Sequence, residues 1–180
     1  MAMITAEEAA RLRPEEKDAI LDAVLGMVWS DSRAQEEEVR LLRRIARHFT
    51  DEDVEVLLQR YDHDPERVGR KIAASDLGPT GRRVLLRLMA LVAAASDGVE
   101  ESELIFFQQV LRAFGVNERE RERLERAAHA YIYAEAVREA LRTRGLDADL
   151  SDLEPLAERM GGSPEWRASL VRHIRIELEG

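Results

Sequence analysis

The chain has no cysteine among its 180 residues. That excludes disulfides, thiolate metal ligands and thiol nucleophiles, and it fits a reducing compartment. Proline and glycine are scarce, at 5 and 10 residues, so little interrupts helices. Aromatic side chains make up only 5%, and the apolar mass comes mainly from Ala, Leu, Val and Ile. Lys17 and Lys71 are the only lysines, so nearly all positive charge is arginine. No apolar run approaches the ~20 residues that span a bilayer. The first residues, "MAMITAEEAARLRPEEK", contain no apolar run of signal-peptide length. These absences predict a soluble, cytoplasmic chain without membrane insertion. Net charge is −9, which argues against a nucleic-acid partner, because phosphate binding needs a basic face.

What remains is rich in Ala, Leu, Glu and Arg, with 45% hydrophobic and 35% charged residues. That composition predicts an all-α protein with a real core. Helix punctuation supports it. Thr5 with Glu8 forms a capping box, and Pro14 suits the first turn of a second helix. Ile20, Ala23, Val24, Met27 and Val28 recur at helical spacing, as do Val39, Leu42, Ile45, Ala46 and Phe49. Thr50 with Asp51 and Asp53 opens a helix to about Arg60. Asp64-Pro65 starts another, ending near Ser75. "RRVLLRLMALVAAA" is apolar on most sides and belongs at the centre of the core. Gly115 and Gly145 are helix-ending glycines, Asn117 caps the longest run, and Ser151 caps a short helix. Trp166, Leu170, Ile174 and Leu178 form one stripe of the last helix. Nothing alternates with period two, so no sheet is expected.

The chain repeats itself. "AILDAVLGMVWSDS" (19–32) aligns with "LLRLMALVAAASDG" (85–98), and "EVRLLRRIARHF" (38–49) aligns with "ELIFFQQVLRAF" (103–114). Ile20 matches Leu86, Leu25 matches Leu91, Ser30-Asp31 matches Ser96-Asp97, and Glu38 matches Glu103. Each copy is a helix, a Ser-Asp loop, and a helix with an acid in its first turn. An amphipathic hairpin cannot bury its apolar face alone, so two copies should pack about a pseudo-twofold axis. Such packing brings the acidic loops near each other.

An apolar helix ending in Ala-Ser-Asp-Gly, a short acidic loop and a glutamate opening an amphipathic helix resembles the tellurite-resistance TerB-like domain. "AASDGVEESELIFFQQVLRAFGV" is the closer copy; "GMVWSDSRAQEEEVRLLRRIARHF" has Ser32 where the family favours Gly. The resemblance covers about residues 14 to 130. It implies a compact all-α domain with pseudo-twofold symmetry and a role in metal or stress response. It also implies an acidic cluster for a divalent cation, carried here by Asp31, Glu38, Asp97 and Glu103. Such carboxylates are hard oxygen ligands suited to Ca²⁺, Mg²⁺ or Mn²⁺ rather than Zn²⁺.

The same acids also read as ordinary caps, since a helix's first turn favours carboxylates by ~0.3–1 kcal/mol each. Two EF-hand-like strings fail on pattern. "DHDPERVGRKIA" has Arg67 and Ala73 at the glycine and glutamate positions, and "DADLSDLEPLAE" has Asp152 for the turn glycine. The four histidines form no His-x-x-x-His or Glu-x-x-His pair. No nucleophile elbow or phosphate loop is present, so no catalytic residue and no enzyme activity are expected.

The expectation is thus one all-α domain of about eight to ten helices. Residues 1–145 form the repeat domain, with copies at about 14–60 and 80–130, and 146–180 a helical extension. The function expected is a non-enzymatic cation-binding module with a protein partner. The alternative is a metal-free interaction scaffold whose acids are caps.

Overall fold

The computed structural model describes residues 3–29, 36–60, 72, 75–95 and 101–179, with the side chains of Glu37, Arg60 and residues 101–103 left outside the description. The described helices are α1 (Ala6–Arg11), α2 (Pro14–Val28), α3 (Glu36–Ala46), α4 (Val54–Arg60), α5 (Pro79–Ala95), α6 (Glu101–Ala113), α7 (Glu118–Arg144), α8 (Glu154–Arg159) and α9 (Pro164–Glu179). A single 3₁₀ turn, Ser151–Leu153, leads into α8. No strand occurs among the described residues, and the all-α expectation holds. Most of the helix expected from Asp64 falls outside the described residues.

Local chemistry explains most boundaries. In α1, Glu8 N donates to Thr5 Oγ1 and Thr5 N donates to Glu8 Oε2, both at 3.1 Å. That is the expected capping box. At the start of α7, Glu120 N donates to Asn117 Oδ1 at 3.0 Å. Gly115 and Gly145 take positive φ, 62° and 97°, ending α6 and α7 in the left-handed region that a Cβ disfavours.

Two caps differ from expectation. Asp53, not Thr50, caps α4: Glu55 N donates to Asp53 Oδ1 at 3.2 Å, while Thr50 Oγ1 accepts from Glu52 N in the preceding turn. Ser151 is a donor rather than a cap. Its N–H and hydroxyl both reach Asp149, at 3.0 and 2.9 Å. A carboxylate accepts more strongly than a hydroxyl, so the nearby aspartate takes the capping role in both places.

Packing divides the chain into two compact units, Met1–Glu125 and Arg126–Gly180. The division falls inside α7, earlier than the helix end at Gly145. The physical reason is that the second half of α7 carries its own apolar face. Tyr133, Ala134, Val137 and Leu141 are buried with Ala157, Met160 and Ile174.

The first unit is built on α2 and α5, the most extensively packed pair of helices. Both are buried nearly all round. Ile20, Val24, Met27 and Val28 on α2, and Val84, Leu85, Leu88, Met89 and Leu91 on α5, have no exposed surface. α3 flanks α2 and α5, and α6 flanks the same two. Positions aligned in the two hairpins have matching burial. Ile20 and Leu86, Leu25 and Leu91, Leu42 and Phe107, and Ile45 and Val110 are buried, and Phe49 and Phe114 are both half-buried.

α1 is fastened to α5 by an ion pair, Arg87 Nη2 to Glu8 Oε1 at 2.6 Å, with both side chains only 14% exposed. Burial by itself opposes Glu8's charge. Hydrogen bonds from Arg87 and from the Thr5 N–H outweigh it, and the carboxyl is lowered to about 2. The folded value lies below the unfolded one of about 4.3. Its stabilisation is therefore complete above that pH and disappears as pH falls toward 2. Wild-type protein should lose on the order of 2 kcal/mol of stability across this window from Glu8. Glu8→Gln should flatten that part of the acid-unfolding curve; equal slopes for the two proteins would refute the pairing.

In the second unit, Ile174 of the expected α9 stripe is fully buried, and Leu170 and Leu178 pack beside it. Trp166 sits at the edge, 37% exposed, its ring 6.0 Å from that of Tyr133. Arg138 on α7 ties to Glu177 on α9 at 3.0 Å.

Candidate functional site

Of the four acids singled out in the sequence, Asp31 and Asp97 lie outside the described residues. Glu103 belongs to the first turn of α6, and its side chain also lies outside them. Glu38 is described. It is the third residue of α3, 1% exposed, and engaged in a polar or electrostatic interaction. A surface cap would stay in water, whereas a carboxylate this deep must be compensated, because burying an isolated charge is costly. No group of three or more His, Asp or Glu able to hold a metal occurs among the described residues.

The junction that orients the two hairpins is built on another acid. Glu16 in the first turn of α2 is 5% exposed. Its Oε1 accepts from Gly78 N at 2.8 Å, and its Oε2 accepts from Arg13 N at 2.9 Å and from Arg13 Nε at 3.2 Å. Burial opposes the charge, but these donors prevail and hold the carboxyl below its ordinary range. Gly81, in the first turn of α5, lies against the same carboxylate: a Cβ there would stand 2.7 Å from Glu16 Oε1. The N-terminal ends of α2 and α5 therefore meet at one buried carboxylate.

A cleft of about 880 Å³ within the second unit opens between α7, the 148–154 segment and α9. Tyr133, Asp149, Glu154, Arg167, Arg172 and Arg175 supply its polar groups. Arg167 Nη1 pairs with Glu154 Oε2 and is 15% exposed. Arg175 donates to the Ala148 carbonyl at a long 3.4 Å. Tyr133 is buried, and its phenol is shifted upward, first by burial and then by the nearby Glu154 charge. The two acids are already committed, Glu154 to Arg167 and Asp149 to Ser151. Hydrogen bonding from Ser151 lowers Asp149 accordingly.

No family model, curated protein or solved structure matches the chain.

The rejected EF-hand-like string from Asp147 is occupied by ordinary helix entry. Asp149 holds Ser151, and Asp152 pairs with Arg144 at 2.6 Å. The arginine cleft is the feature that sequence reasoning passed over. Its signal was present in "RASLVRHIR", where Arg172 and Arg175 stand one helical turn apart and Arg167 lies in the first turn of the same helix. Arginines on a surface helix are common enough that spacing alone gave them no weight.

Proposed function

We propose that the chain is a non-enzymatic TerB-like module in which two helical hairpins present acidic turns at a common end, where they take a divalent cation in a metal or stress response. The observation that carries this reading is the meeting of α2 and α5 at Glu16. The two helices start together and are packed against each other more than any other pair. They have 15 and 17 residues, or about 22 and 25 Å at 1.5 Å per residue. Helices that start level, pack side by side and have similar lengths end near the same level. On this reading Val28 and Ala95 lie at one end of the unit, three and two residues before Asp31 and Asp97. The matching burial of aligned positions and the depth of Glu38 support the same reading.

The test is thermal unfolding with Ca²⁺, Mg²⁺ and Mn²⁺ in turn. An ion binding only the folded state stabilises it by about 2.7 kcal/mol at about a hundredfold its Kd. Asp97→Asn should remove most of that gain. A flat melting temperature across the series would sink the cation reading. The second reading, a protein-interaction scaffold, would then lead. Its favouring observation is the adjacent pair Leu104 and Ile105 on α6, 40% and 50% exposed.

A further inference from the structure

The cleft in the second unit has a charge balance that its own residues do not close. Three arginines face two acids there, and both acids are engaged within the cleft wall. Arg172 and Arg175 form no ion pair among the described residues. The Nε–H groups of Arg167 and Arg175 are buried and have no acceptor. A buried donor without an acceptor costs free energy that a new acceptor recovers. Arg172 and Arg175 are also one helical turn apart on α9, where neighbouring side chains are about 5–6 Å apart at Cβ. Two guanidinium groups at that separation can grip one oxyanion together, and guanidinium is the side chain best matched to phosphate geometry.

We propose that this cleft binds a small phosphate-bearing molecule, with Arg172 and Arg175 holding its dianionic phosphate and Arg167 fixed in place by Glu154. The size suits it, since clefts of about 300–1,000 Å³ hold small organic ligands. The wall beside the arginines is partly apolar, through Ala168 and Val171 on α9 and Leu150 opposite. It offers a surface for the remainder of such a molecule. Turning the half-buried Arg175 toward the bound oxyanion would give its unmatched Nε–H an acceptor. Asp149 sets the limit on selectivity. Its fixed negative charge repels anions that spread along the whole cleft and favours one compact charged group at the arginine end.

The experiment uses the full chain and pyrophosphate as the probe, at constant ionic strength adjusted with chloride. Trp166 reports on the site because its ring lies 6.0 Å from Tyr133. Trp29→Phe removes the only other tryptophan. Saturable change in Trp166 fluorescence is expected. Arg175→Gln should weaken binding about tenfold, and Arg172→Gln by a similar factor. Phosphate salts also stabilise proteins without binding, so the variants, not the melting temperature alone, decide. Arg172 is exposed, and its replacement leaves the core untouched, so R172Q tests the idea even if R175Q folds poorly. Unchanged affinity in R172Q, or no saturation by wild type, overturns the proposal. Tighter binding of citrate or succinate than of pyrophosphate overturns the phosphate class and makes this a carboxylate site.

Discussion

Leu91→Ala is expected to lower the unfolding free energy by about 2–5 kcal/mol, and Leu25→Ala to lower it by a comparable amount. Both side chains are buried in the core of the first unit, Leu91 on α5 and Leu25 on α2, at 0% and 3% exposure. Removing either leaves a void that neighbours can only partly fill. α5 and α2 are buried on almost every side, so no surface element can move inward cheaply. The two positions are also aligned across the hairpins. Equivalent halves of one core should respond alike, whereas an accidental likeness predicts no such match. Leu104→Ala, at a position 40% exposed, is the control and should change stability by less than about 0.5 kcal/mol. Guanidinium unfolding followed by circular dichroism measures all three, with unchanged slopes as the check that only stability moved. A Leu25→Ala cost well below that of Leu91→Ala would break the equivalence.

Much of this fold was legible because each helix carries its own signals. The apolar run of α5 dictated central burial, and Val84, Leu88 and Leu91 are fully buried. Thr5, Asn117, Gly115 and Gly145 marked ends correctly, since capping needs only near neighbours in sequence. Thr50 and Ser151 were misread for a related reason. Several polar residues crowd each of those turns, and in each a neighbouring aspartate, the stronger acceptor, takes the backbone N–H. The second apolar cluster was harder to see. α7 reads as a single long run from Asn117, yet its far half joins α8 and α9 through Tyr133, Val137 and Leu141. Tertiary partners set that division, and periodicity within one helix does not encode partners.

The candidate site shows the same contrast. Glu38 drew notice as a first-turn acid, but the sequence could not tell a solvated cap from a carboxylate at 1% exposure. Glu16 reads as one more acid of "PEEK", and its role depends on Gly78 and Gly81, which are more than sixty residues away. The arginine cleft depends on Tyr133, Asp149 and Arg175 converging from separate segments. Long-range juxtaposition is what a single sequence leaves unwritten.

Gly81→Ala should destabilise the protein, although alanine in a helix normally gains about 0.5–1 kcal/mol over glycine. The added methyl would stand 2.7 Å from Glu16 Oε1. That carboxylate cannot swing aside freely, because Gly78 N, Arg13 N and Arg13 Nε all donate to it. Overpacking of this kind costs about 1–3 kcal/mol. Glu16→Ala alone should cost about 1–3 kcal/mol, since it removes the one carboxylate that the Gly78 and Arg13 N–H groups share at this part-buried junction. The double variant distinguishes the cause. Without the Glu16 carboxylate the methyl has room, so Gly81→Ala should turn from destabilising to mildly stabilising in that background. The coupling energy should reach about 2 kcal/mol. If Gly81→Ala acts identically in both backgrounds, Glu16 does not clamp α2 to α5. The common starting point of the two helices, on which the shared acidic end depends, would then lose its support.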